Sequence, residues 1–153
     1  MEKVILDSLL VLSVLLMALP VLAHCEIPCG IYDDETRIKL IAEDITTIEK
    51  GINEIHKLSG EKDKNYNQIV RWVKNKEDHA LRIQDTVHQY FMTQRVKPPE
   101  SQKGDEQQKY VEKITLLHEL LIYAMKAKQT TDLENVEKMR ENLEKFRTAY
   151  FGA

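Results

Sequence analysis

Isoleucine occupies positions 38, 41, 45, 48, 52 and 55, at alternating spacings of three and four. Side chains three and four apart share one face of an α-helix, so residues 35–58 are expected to form one long amphipathic helix. Its apolar stripe has to be covered by other helices. Asp33 or Asp34 can cap the start, and Ser59-Gly60 supplies a stop. The chain has 153 residues, enough for one domain with a real core and too few for two ordinary ones. Its five glycines and four prolines leave little turn chemistry for a sandwich or barrel.

Three further segments carry the helical period. Residues 63–95 bring Tyr66, Ile69, Val73, Ala80, Ile83, Val87, Tyr90 and Phe91 to one side, with a polar stretch at 74–79 expected to be partly exposed. Lys97-Pro98-Pro99 then stops helix formation. Residues 105–128 turn Val111, Ile114, Leu117, Leu121 and Ala124 inward. Thr131 and Glu134 have capping-box spacing and open a fourth helix, with Leu133, Val136, Met139, Leu143, Phe146 and Tyr150 inward. No segment alternates with period two over a useful length. Short connections favour antiparallel neighbours, so residues 34–153 are expected to form an all-α, up-down-up-down four-helix bundle. A formal net charge of -3 argues against a general nucleic-acid or anionic-membrane binder.

The front of the chain has a different character. Residues 9–19 read LLVLSVLLMAL, too short to span a bilayer comfortably but of the length of a secretory h-region. Val21-Leu22-Ala23 suits signal peptidase, although Lys3 is offset by Glu2 and Asp7. Residues 1–23 are therefore expected to be a cleaved leader, with an uncleaved anchor as the alternative. Export to the periplasm or the exterior follows, with no membrane attachment once the leader is gone. Cleavage makes His24 the N-terminal residue.

The mature chain then starts His24-Cys25-Glu26-Ile27-Pro28-Cys29-Gly30-Ile31-Tyr32-Asp33. A free amine, an imidazole on the same residue, the Cys25 amide nitrogen and two thiols fall within six residues. With the His24 amine bound, the Cys25 amide is one chelate ring away and its thiolate one further. Pro28 and Gly30 permit a tight reversal that returns Cys29. Two nitrogens and two thiolates in a plane suit nickel or copper, whereas zinc prefers a tetrahedron. A plain Cys25–Cys29 disulfide in an exported helical-bundle protein is an equal reading of the spacing.

The ten residues 24–33 resemble the nickel hook of the nickel superoxide dismutases, whose mature chains begin H-C-D-x-P-C-G-x-Y-D. The likeness implies a four-helix bundle assembled into a homohexamer, and a chain that disproportionates superoxide to oxygen and hydrogen peroxide. It implies one nickel ion per chain, held by His24 through its amine and imidazole, by Cys25 through its amide nitrogen and thiolate, and by the Cys29 thiolate. Tyr32 would stand over the open face and orient water or superoxide, and His24 would bind and release the metal as its oxidation state changes. Pro28 would fix the hook. The sequence departs from the family at Glu26, where the family has Asp. It departs again near Lys39 and His79, where the family has a glutamate and an arginine that steady the imidazole. Glu43, Arg71 or Arg82 are the substitutes within one helical turn. His56, His88 and His118, like His79, read as solvated or core-edge histidines, and the charged runs 61–64 and 74–78 as exposed faces or loop ends.

Overall fold

A computed structural model describes residue 28, residues 30–100 and residues 103–152. The chain divides into two units, Met1–Ile31 and Tyr32–Ala153, and every described helix lies in the second. These helices are α1 (Asp34–Gly60), α2 (Tyr66–Asp85), a π-helical continuation of α2 (Thr86–Arg95), α3 (Asp105–Gln129) and α4 (Glu134–Phe151). Each α-helix packs on its neighbour in the sequence, and α4 returns to α1 to close the ring. Side-chain pairings give the directions. Asp34 meets Tyr150 and Glu49 meets Arg140, so α1 and α4 run antiparallel. Asp44 meets His79 while Asp34 meets Arg95, which sets α2 against α1. Lys76 reaches Lys128 and Gln84 reaches Leu121, which sets α3 against α2. The fold is the four-helix bundle expected from the periodicity. Among the described residues no helix is long and apolar enough to cross a membrane.

The isoleucine stripe forms the spine of the core. Ile38, Ile41, Ile45, Ile48 and Ile52 are buried with Ile83, Phe91, Leu117, Met139 and Phe146. Each such side chain removed from water contributes about 1.5–3 kcal/mol. Asp33 caps α1, its carboxylate accepting from the Thr36 amide at 3.0 Å and the Thr36 hydroxyl at 2.8 Å. The helix runs through Gly60 and breaks at Glu61, which is extended.

Several inward assignments are corrected. Val111 is 49% exposed and Tyr66 70% exposed. On α3 the buried stripe is Leu117, Leu120, Ala124 and Ala127, a rotation of the face that takes Val111 off the core. Tyr66 opens α2 as its first residue, where the helix has not yet met its neighbours. The fourth helix starts without the Thr131–Glu134 box. Asp132 accepts from the Glu134 amide at 3.0 Å instead, and the Thr130 hydroxyl accepts from the Asn135 amide group at 3.2 Å.

The largest correction concerns Lys76, expected on an exposed face and in fact 2% exposed. Its ammonium donates to the carbonyls of Ala127, of Lys128 at 2.8 Å and of Thr130 at 3.0 Å. These belong to the end of α3, where carbonyls lack helical partners and the dipole favours a cation. Burial lowers the Lys76 pKa, and the three acceptors compensate its lost hydration. The stem of Lys76 crosses α1 at Gly51, where an added Cβ would stand 3.3 Å from the Lys76 Cβ and 3.6 Å from the Trp72 carbonyl oxygen. Gly51→Leu is therefore expected to push α1 off α2 and cost about 1–3 kcal/mol, measured by urea unfolding. An unchanged midpoint would show that the helices do not meet as closely as described.

Candidate functional site at the start of the bundle

Of residues 1–31 the structure describes Pro28, Gly30 and Ile31. The chain bends at Pro28 and at Gly30. Gly30 has φ +78°, a left-handed conformation that glycine adopts without steric cost. His24, Cys25, Glu26 and Cys29 lie outside the described residues. Among the described residues no group of three or more His, Cys, Asp and Glu side chains could hold a metal ion.

The bundle unit begins at Tyr32. Two residues on, in the first turn of α1, Asp34 gathers donors from two other helical segments. Its Oδ1 accepts from the Tyr90 hydroxyl at 2.7 Å and from Arg95 Nε at 2.8 Å. Its Oδ2 accepts from Arg95 Nη2 at 2.7 Å and from the Tyr150 hydroxyl at 2.8 Å. The Arg95 contact is the two-pronged carboxylate fork that arginine alone can make. Those bonds, above all Arg95's, outweigh burial and hold the Asp34 carboxyl at about 2. Burial, followed by donation to a carboxylate, pushes the Tyr90 and Tyr150 phenols up to about 12. Arg95 is held above its ordinary value by the same bonds.

The π-helical segment explains how one carboxylate receives both Tyr90 and Arg95. The Val96 amide bonds to the Phe91 carbonyl at 2.8 Å, five residues back. The Thr93 hydroxyl and the Gln94 amide group likewise reach carbonyls five residues back, at His88 and Gln89. In an α-helix residues five apart diverge in direction. The wider i→i+5 winding brings them onto one face, and Tyr90 and Arg95 are five apart.

Tyr32 is the candidate residue of the motif that lies within the bundle unit. The Arg95 guanidinium carbon sits 4.3 Å from the centre of its ring, and the Tyr90 ring meets it edge-on at 5.9 Å. Arg37 lies 5.0 Å over the other aromatic, Tyr90. Beneath, Tyr90, Phe91, Phe146 and Tyr150 form a run of ring contacts into the core. Beside Arg95 and Tyr150 opens a cleft of about 250 Å³ whose lining includes Lys97, Lys109 and Lys113, with Glu106 as its acid.

The positions read as helical supports behave differently from one another. Lys39 is exposed and faces Glu35 at 4.0 Å. His79 is half-buried, with Nδ1 2.6 Å from Asp44 Oδ1, a core-edge histidine with a partner. Glu43, Arg71 and Arg82 lie exposed. The Asp34–Arg95 pair and its two phenols were not singled out by sequence reasoning. Tyr90 and Tyr150 were legible as core positions, Asp34 as a possible cap. A signal for the rest was the spacing of Tyr90 and Arg95, which matters only once a π winding is known.

No curated protein and no solved structure significantly matches the chain. The family model for nickel-containing superoxide dismutase matches residues 19–153, which includes the whole bundle and the cysteine-bearing segment before it. The chain belongs to the nickel-containing superoxide dismutases.

Proposed function

We propose that this superoxide dismutase holds one nickel ion per chain at its mature N-terminus, through the His24 amine and imidazole, the Cys25 amide nitrogen and thiolate, and the Cys29 thiolate. The fit is one of donor chemistry, since soft thiolates and strong nitrogen donors suit a late first-row metal. The described observation that supports this reading is the fixing of Tyr32 on the Arg95–Asp34 pair, three residues after Cys29. Nickel, when bound, supplies the one-electron couple that takes an electron from one superoxide and returns it to the next.

The chain's own residues handle position, charge and protons. One superoxide leaves as oxygen, while the other must gain two protons to leave as hydrogen peroxide. Of the three phenols of Tyr32, Tyr90 and Tyr150, the last two are committed to Asp34. Tyr32 is the phenol of the three not tied to that carboxylate, and its Oη orients superoxide or passes a proton from water. Lys97, Lys109 and Lys113, which line the cleft beside Arg95 and Tyr150, favour an anion. We also propose that the leader ends at Ala23, that the protein is exported, and that it assembles as the homohexamer the family resemblance implies.

The test is the mass, thiol count and metal content of the purified protein, read together with superoxide consumption. The expected result is a chain starting at His24, close to one nickel per chain, a rhombic electron-spin signal with nitrogen coupling, and turnover lost when nickel is removed. Tetrahedral zinc, or a closed Cys25–Cys29 disulfide without metal, overturns the ligand assignment.

A further inference from the structure

We propose that Arg95 is a positioning residue whose flat guanidinium face, held still by Asp34, orders the Tyr32 ring. This rests on the reading of Tyr32 as the residue that meets superoxide. Tyr32 lies ahead of α1, outside any helix, and is 39% exposed. A side chain so placed is expected to sample several rotamers unless a neighbour restrains it. Its ring contacts in the structure are Tyr90, whose ring stands at 76° to it, and the Arg95 guanidinium over its face.

Arg95 is suited to the task because it cannot itself wander. Nε and Nη2 are both spent on Asp34 at 2.8 and 2.7 Å. The carboxylate is pinned in turn by the hydroxyls of Tyr90 and Tyr150. The guanidinium plane is thus fixed from α1, from the π-helical segment and from α4, with its central carbon 4.3 Å from the centre of the Tyr32 ring. Its charge is paired with that of Asp34, so Arg95 contributes a rigid surface where the lysines of the adjoining cleft contribute attraction. The π winding is part of this device, because it lets Tyr90 and Arg95 reach one carboxylate from consecutive turns.

The proposal separates plane from charge, and Arg95→Lys tests that separation. Lysine keeps the cation near Asp34 and hence the fold, but has neither the planar face nor the fork. The first readout uses metal-free protein labelled at tyrosine, with Tyr32→Phe assigning the Tyr32 signals. Three-bond couplings should report one χ1 rotamer for Tyr32 in the parent and averaging in Arg95→Lys. The second readout is the nickel-loaded enzyme, where Arg95→Lys should keep its nickel and helical signal while kcat/KM falls about tenfold or more. Arg95→Gln, which loses charge as well, should match it in both readouts if it folds. A single retained Tyr32 rotamer in Arg95→Lys, or a kcat/KM equal to the parent's, overturns the proposal. If the unsubstituted nickel-loaded protein shows no turnover, the site reading fails. The couplings still decide whether Arg95 orders Tyr32.

Discussion

One alanine placed between Ala23, the proposed end of the leader, and His24 is expected to abolish superoxide dismutation while leaving the helical body unchanged. The insertion alters no side chain of residues 24–33. It converts the His24 amine into an amide and moves the terminal amine one residue away, so the imidazole no longer sits on the terminal residue. A neutral amide nitrogen binds a metal only after losing its proton, so a chelate through it would need a second deprotonated amide. The bundle should not respond, since its core is built from Ile38 onward on α1 and from the three later helices. Circular dichroism and the thermal midpoint should therefore match the parent, while nickel content and superoxide consumption fall together. Full activity in the extended protein would mean that the amine is not a ligand.

Asp34→Ala is expected to be the most damaging single change in the bundle near Tyr32. It leaves the Arg95 guanidinium and the hydroxyls of Tyr90 and Tyr150 without their shared acceptor. Removing one partner of a fully buried pair costs about 3–5 kcal/mol, and this pair keeps some exposure, so a loss of about 2–4 kcal/mol is expected in urea. The pH dependence carries the same signature. A carboxyl with a lowered folded pKa stabilises the fold above its unfolded value and loses that contribution as pH falls through the folded one. For Asp34 the window runs from 3.8 down to about 2, a difference equivalent to about 2 kcal/mol. Acid unfolding of the parent should steepen in that window, and Asp34→Asn should lack this component. An Asp34→Ala protein as stable as the parent, with the same acid limb, would dismiss the cluster as a stabilising centre.

What could be read in the sequence depended on how local its cause was. The isoleucine stripe and the Asp33 cap follow from neighbours three and four residues away, and both appear as expected. Val111 failed because the face of α3 that meets the core follows Leu117, Leu120, Ala124 and Ala127, a choice made by the other helices. Lys76 failed for a similar reason. Nothing nearby in sequence says that the carbonyls of Ala127, Lys128 and Thr130 will end in front of its ammonium. The Asp34–Arg95 pair spans 61 positions and needs a π winding that no composition rule forecasts. While the spacing alone left a Cys25–Cys29 disulfide equally open, the resemblance carried by residues 24–33 made the family legible. The motif's support from the bundle was not.

The Asp34 cluster also imposes an order of events on the newly made chain. Its last donor, Tyr150, lies 116 residues after the carboxylate that receives it. During synthesis the N-terminal residues emerge first, yet the ground beneath Tyr32 is complete only when almost the entire polypeptide exists and α4 has docked. Such distant contacts are among the slowest to form. Tyr32 is therefore not seated until α4 has docked, and full superoxide dismutation is expected to wait for that docking.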